Sequence, residues 1–386
     1  MIENHQLINS LKPSIQQVWE KAGFVRPTSI QSYAIPHILE KKDVIAQSPT
    51  GTGKTLAYLL PILQMVDAEK KAIQAVILAS SQELVMQIMG EIQKWSEGSG
   101  IRGASFIGGA NAKRQLEKLK KHPHIAVGTP GRMQELIKQK KLKMHEVKTV
   151  VLDEGDQLLV AEHTETVKQI IKSTLSDRQV VLFSATLPEP IVKLAKELTN
   201  NAKVLMVQKD ETIDAEKVDH IYFMTEQRDK IKLIEKISRL DSLKGLVFVK
   251  DIGSLTVLAE KLQFKKVNAS VLHSDLNKME RQKALKDFRE GKTALLIATD
   301  VAARGLDIQG ISHVVHYDFP KDLNQYVHRS GRTGRFGAAG TVISLVTERE
   351  ERELKKYARE MDVSVEIKRF HGENIVEGQS RSTSKR

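Results

Sequence analysis

No cysteine occurs in the 386-residue chain, which excludes disulfides and thiolate-held metals. Aromatic residues make up only 5%. The longest apolar stretches, such as "LAYLLPILQMV", are too short to span a bilayer. The start, "MIENHQLINSLKPS", lacks a basic segment followed by an apolar one, so no signal peptide is expected. Acidic residues are outnumbered: 48 Asp and Glu stand against 60 Lys and Arg, for a net charge of +12. Such a surface draws polyanions, although composition alone does not separate nucleic-acid binding from plain solubility. These absences point to a soluble cytoplasmic protein without membrane association. The length suggests two domains, each able to bury its own core.

What is present is a repeated pattern. Short apolar runs recur, each followed by a polar turn and an amphipathic stretch. In the first half they are "DVIAQS", "AVILASS", "HIAVGTP", "TVVLDE" and "QVVLFSAT"; in the second, "GLVFVK", "ASVLHS", "ALLIATD", "HVVHYD" and "TVISLV". Continuous rather than alternating runs suit strands buried on both faces. Helical patterns such as "PEPIVKLAKEL", "RDKIKLIEKISRL" and "ERQKALKDFRE" lie between them, so the class is α/β, with parallel sheets flanked by helices. The halves read as two copies of one kind of sheet. The pattern pauses at the polar "VQKDETIDAEKV", which divides the chain into a domain over 1–207, a flexible linker over 208–217 and a second domain over 218–370. The remainder, 371–386, reads as a disordered basic tail.

"DVIAQSPTGTGKT" passes from a strand through a glycine-rich loop into a helix. Ser48, Pro49, Thr50, Gly51, Thr52, Gly53, Lys54 and Thr55 supply a phosphate-binding loop, with Ser48 where the general pattern has its first glycine. Glycines let backbone N–H groups approach phosphate oxygens, and the helix presents its positive end to the anion. Lys54 can reach the β and γ phosphates and Thr55 can hold Mg²⁺. "TVVLDEGDQLL" then ends a strand in acids. Alone, Asp153, Glu154 and Asp156 would suit a solvated turn or helix start. Downstream of "GTGKT" they read otherwise: Asp153 to bind, through water, the Mg²⁺ bridging the phosphates, and Glu154 to orient or deprotonate the attacking water.

From about Phe24 to Gly340 the ordered motifs resemble the DEAD-box family of ATP-dependent RNA helicases. The resemblance implies two tandem RecA-like domains, ATP as substrate with Mg²⁺, and RNA as partner. "GFVRPTSIQ" resembles the adenine-recognising Q motif, with Gln31 reading the adenine edge and Phe24 packing on the base; the upstream aromatic of that motif is absent from "NHQLINSL", which implies weaker anchoring. "LFSATLP" matches the SAT motif, where Ser184 and Thr186 can bond Asp156 and couple the nucleotide site to domain movement. In "ATDVAARGLDI" the resemblance assigns Thr299 and Asp300 to RNA, Arg304 to coupling and Asp307 to the nucleotide. In "YVHRSGRTGR" it assigns Arg332 and Arg335 as arginine fingers and His328 to coupling across to the acidic motif. Contacts to RNA fall by the same resemblance to Ser81, Gly108, Gly109, Thr129, Gly131, Arg132, Lys278 and Arg281. These groups suit the sugar–phosphate chain, so binding is expected to be sequence-independent.

Three departures stand out. "SSQEL" replaces the usual "PTREL", exchanging proline for Ser80 and a cation for Gln82. "HSDLNKMER" has Lys278 where glutamine is common and Ser274 where glycine is common. Asp-Glu-Gly-Asp replaces Asp-Glu-Ala-Asp. Gly155 carries no metal-binding or proton-transferring group, and the lost methyl and added backbone freedom together cost about 1 kcal/mol. The expected activity is RNA-stimulated ATP hydrolysis coupled to single-strand binding and local opening of short duplexes. An ATP-gated RNA clamp or remodeller with weak unwinding stays open, as does a non-catalytic RNA-binding scaffold. Ribosomal RNA or ribosome-assembly intermediates are candidate partners, and a monomer is expected.

Overall fold

The computed structural model describes residues 4–109, 112–207, 218–303, 308, 310–334 and 338–378. The chain divides into two compact units, and the division falls within 208–217, outside the described residues. The expected linker, together with Arg304, Asp307 and Arg335, therefore lies outside what the structure describes.

The first unit has seven parallel strands: β1 (Val44–Gln47), β2 (Ala75–Leu78), β3 (Gly103–Phe106), β4 (Ile125–Gly128), β5 (Thr149–Asp153), β6 (Gln179–Ser184) and β7 (Lys203–Met206). Their order is β3-β4-β2-β5-β6-β1-β7. Alternation of side chains across the sheet sorts neighbours onto opposite faces. Val151, Val181 and Phe183 join one core with the helices Lys54–Met65 and Gln82–Trp95. Val150, Leu152, Val180 and Leu182 join another with Met133, Val167 and Ile170. Helices thus cover both faces, and β2, β4, β5 and β6 are buried along their whole length. That is why these strands read as unbroken apolar runs.

The second unit has β8 (Val218–Met224), β9 (Gly245–Val249), β10 (Ala269–Leu272), β11 (Leu295–Thr299), β12 (His313–His316), β13 (Gly340–Val346), β14 (Val365–His371) and β15 (Asn374–Glu377). Their order is β10-β11-β9-β12-β13-β8-β14-β15. Counted from its own first strand, this unit repeats the topology of the first and adds β15. Local signals fix its helix starts. Asn277 caps Lys278–Arg289 in a capping box with Glu280, and Thr347 does the same for Glu348–Met361 with Glu350.

One expectation is overturned. The segment 371–378, assigned from sequence to a disordered tail, forms the turn and second strand of a hairpin: β15 pairs antiparallel with β14, His371 opposite Asn374. Gly372 supplies the positive φ, 63°, that such a two-residue turn requires. Phe370 anchors the hairpin by stacking on Phe223 at 5.2 Å. Residues 379–386 of the expected tail lie outside the described residues.

Candidate nucleotide and nucleic-acid site

The phosphate loop follows β1, at the C-terminal edge of the first sheet. Gly51 and Gly53 take φ of 80° and 85°, a region costly to any side chain. A Cβ on Gly53 would also collide with the Gln31 amide. Ser48 is fully buried; its hydroxyl pairs with that of Thr52 at 2.7 Å and its N–H bonds the Ser184 carbonyl at 3.0 Å. Lys54 donates to the carbonyls of Ser48 and Pro49 at 2.7 and 2.6 Å, folding over the loop it would share with a phosphate. Gln31 is likewise engaged. Its NH₂ bonds the Gly53 carbonyl at 3.2 Å, and its oxygen accepts from the Thr28 N–H at 3.0 Å. The amide that the Q-motif resemblance assigns to adenine here braces the phosphate loop. Phe24 stacks on Trp95 at 6.1 Å and meets the edge of Trp19 at 5.1 Å, and it shares a small pocket with Val25 and Pro27.

Across from the loop, β5 delivers the acids. Asp153 is 4% exposed. One carboxylate oxygen accepts from Tyr58 at 2.8 Å and the other from the Glu154 N–H at 3.0 Å. Burial, then the neighbouring Glu154, pushes its pKa up to about 6, despite the hydrogen bond from Tyr58 and the charge of Lys54. The same burial, with Asp153 beside it, holds the Tyr58 hydroxyl well above its ordinary value. Tyr58 was missed by sequence reasoning. In "GKTLAYLLP" it reads as one more core residue, and the signal would have been its place one helical turn beyond the phosphate loop, facing β5. A buried carboxylate strained by a second acid is a poor anion but a suitable hard oxygen donor, and the Thr55 hydroxyl reaches the same cluster through Tyr58. These residues fit Mg²⁺, which would neutralise charge on the phosphates.

Glu154 adopts the left-handed conformation, φ 56° and ψ 55°, uncommon for a residue with a side chain. Its carboxylate accepts a hydrogen bond from Ser80. Asp156, also buried, is gripped by two hydroxyls, Ser184 and Thr186, each at 2.7 Å. Between them Gly155 meets β6. A Cβ there would lie 2.6–2.8 Å from Cγ, Cδ1 and Cδ2 of Leu182. The expected packing loss at Gly155 is therefore corrected, because Leu182 already fills the space a methyl would take.

The residues assigned to RNA cluster at other strand ends. Ser81 caps the helix Gln82–Trp95, accepting from the Leu84 N–H at 3.2 Å. Gln82 donates to the Gly108 carbonyl at 3.0 Å. Gly108, Gly109 and Gly131 have open space where a Cβ would stand. Thr129 precedes the helix Pro130–Lys138. Arg132 on that helix bonds Glu135 at 2.6 Å and Gln115 at 3.3 Å. In the second unit, Lys278 opens the helix Lys278–Arg289, and Arg281 bonds the Ala302 carbonyl at 2.9 Å. Thr299 ends β11 and is buried.

Asp300, assigned to RNA by the resemblance, is paired with an arginine of its own unit. Both its oxygens pair with Arg329, at 2.6 and 2.7 Å, and Arg329 also bonds the Asp318 carbonyl at 2.7 Å over the Phe248 ring. This carboxylate is engaged within its own unit by the guanidinium of Arg329. Arg329, 3% exposed, is a second residue missed by sequence reasoning. It sits among glycines and arginines that all read as ligand-facing. Arg332 is nearly buried, its Nε bonding the His328 carbonyl at 3.3 Å.

Such features define an α/β protein built from two sheets of one topology, with a phosphate loop, a metal-suited aspartate and a water-suited glutamate on the first. The chain belongs to the DEAD-box family of ATP-dependent RNA helicases: residues 28–195 match the DEAD/DEAH box helicase family and residues 229–337 the helicase conserved C-terminal domain. It is 55% identical to the probable ATP-dependent RNA helicase YfmL of Bacillus subtilis, over 95% of this chain and 96% of that protein. It is 47% identical to the DEAD-box ATP-dependent RNA helicase CshC of Bacillus cereus, over 98% and 97%. Among solved structures it resembles S. cerevisiae Dbp5 bound to RNA and ADP BeF3, with a TM-score of 0.86 and 31% identity over 94% of each chain. It also resembles Mss116p bound to ssRNA and AMP-PNP, with a TM-score of 0.82 and 26% identity over 95% of this chain and 78% of that one.

Proposed function

We propose that the chain is an RNA-stimulated ATPase that binds single strands by their backbone and opens short duplexes locally. The observation that carries this reading is the joining of three groups at one sheet edge: Lys54 on the phosphate loop, the Asp153–Glu154 pair, and Asp156 in the grip of Ser184 and Thr186. Lys54 steadies the β and γ phosphates once it leaves its own loop carbonyls. Asp153 and Thr55 would hold Mg²⁺, and Tyr58 fixes the aspartate's orientation. Glu154 orients the water and takes its proton. Arg332 and Arg335 steady charge on the transferring γ-phosphoryl group, so turnover requires both units. Thr129, Gly131, Arg132, Gly108 and Gly109 from one unit, with Lys278, Arg281 and Thr299 from the other, hold sugar and phosphate. No base edge is read, and ribosomal RNA or ribosome-assembly intermediates in the cytoplasm are suitable partners for a monomeric enzyme of this kind.

A second reading, an ATP-gated clamp with slow turnover, is favoured by Gln82, which places a neutral amide where relatives of this type carry a cation. One assay separates the readings: ATP hydrolysis without nucleic acid, with RNA and with DNA, for the parent and Glu154→Gln. A helicase is stimulated by RNA and loses about 100-fold or more in Glu154→Gln. A clamp binds RNA with ATP but turns over slowly even when saturated. Stimulation by DNA equal to that by RNA contradicts both.

A further inference from the structure

We propose that Ser80 is a positioning residue that ties Glu154 to the loop meeting RNA, an inference that rests on the reading of Glu154 and of residues 80–82 given above. The sheet sets it up. β2 pairs with β5 in parallel register, Leu78 opposite Leu152. Two residues beyond that pair on each strand, Ser80 comes level with Glu154, and its hydroxyl donates to the Glu154 carboxylate. The left-handed backbone of Glu154 aims the side chain across the strand ends, toward β2 and away from its own helix.

This link depends on the departure from the family pattern. Proline, usual at this position, has neither a hydroxyl nor an N–H to offer. The two residues that follow carry the link outward. Ser81 caps the helix Gln82–Trp95, and Gln82 reaches the carbonyl of Gly108. Three consecutive side chains thus join the candidate base, a helix start and the Gly108–Gly109 loop. A strand of RNA pressing on Ser81 or Gly109 displaces a segment already bonded to the Glu154 carboxylate. The same motif thus loses a cation from the RNA surface at Gln82 and gains at Ser80 a direct connection to the group that handles water.

The test uses the full chain and four proteins: parent, Ser80→Ala, Ser80→Thr and Glu154→Gln. ATP turnover is measured without RNA and at saturating RNA. RNA affinity is measured separately with AMP-PNP. Ser80→Ala is expected to lower the ratio of RNA-saturated to RNA-free kcat by about threefold or more. KM for ATP and RNA affinity should stay within about twofold of the parent, a split that a merely structural residue would not give. Ser80→Thr keeps the hydroxyl and should keep the ratio. An unchanged ratio in Ser80→Ala overturns the proposal, as does a threonine variant that behaves like alanine. A ratio that falls together with RNA affinity also overturns it, making Ser80 an RNA contact. Full turnover in Glu154→Gln would instead refute the assignment of Glu154 itself.

Discussion

The two sheets share one topology, yet their corresponding strand ends carry different chemistry. β1 ends in a glycine-rich phosphate loop; its counterpart β8 ends in "TEQRDK", with no glycine to open the backbone. β5 ends in three acids, and β12 in His316 with Asp318 just beyond, its carboxylate bonded to the Lys250 N–H at 2.9 Å. β4 and β11, again counterparts, both run into a threonine: Thr129 before a helix whose second residue, Gly131, is exposed, Thr299 before the Asp300–Arg329 pair. The fold supplies equivalent positions, and the side chains decide whether a position handles a ligand or braces the unit.

The sharpest test of that contrast sets two arginines against each other. Arg329→Ala strands Asp300 without its partner and should cost the second unit about 3 kcal/mol in urea unfolding. Arg132, itself only 8% exposed, pairs with Glu135, which is half exposed and stays hydrated when the arginine is lost, so Arg132→Ala should cost about 1 kcal/mol. Equal losses would erase the distinction between bracing and ligand-facing positions.

Asp153 offers a test of opposite sign. Its folded pKa of about 6 lies above the ordinary 3.8, so its contribution to stability is present below pH 4 and lost as pH rises through 6. Asp153→Asn escapes that loss. At pH 7, without Mg²⁺, the variant should be inactive yet more stable than the parent, on the order of 2 kcal/mol by thermal or urea unfolding. The gain should vanish toward pH 4, and a variant less stable at pH 7 would contradict the account of this carboxylate.

Tyr58→Phe removes one donor from Asp153 and should raise the Mg²⁺ concentration for half-maximal ATP hydrolysis by about tenfold. An unchanged Mg²⁺ titration would make Tyr58 a core residue only. The smallest effect belongs to Gly155→Ala. Crowding Leu182 costs about 1–3 kcal/mol, and the helix start regains about 1. Net destabilisation should be near 1 kcal/mol by urea unfolding, with ATP turnover within a few-fold of the parent. A rise in stability would show that Leu182 yields its place freely.

The legible strands were those buried on both faces. β2, β4, β5, β6, β9 and β11 announce themselves as continuous apolar runs. β7, β8, β14 and β15 do not, since much of their length is exposed or half-exposed and polar residues interrupt them. β3 is mostly buried, but it is short and its glycine and serine break the apolar run. The site followed a similar rule. Lys54, Asp153 and Glu154 were readable because motif spacing carries them. Tyr58, Ser80 and Arg329 were not, because each acts through a partner distant in sequence: Tyr58 on Asp153, Ser80 on Glu154, Arg329 on Asp300. The Leu182 side chain against Gly155 belongs with them, a close approach between β6 and the acidic turn that no local pattern announces.

The proposed function requires one ATP to be met by groups from both units. Replacing Arg332 and Arg335 together with alanine, then measuring RNA-saturated ATP turnover and ATP affinity, tests it most directly. The expected outcome is a fall in kcat of about 1,000-fold or more, with ATP still bound by the first unit. Turnover that survives the double replacement would contradict it.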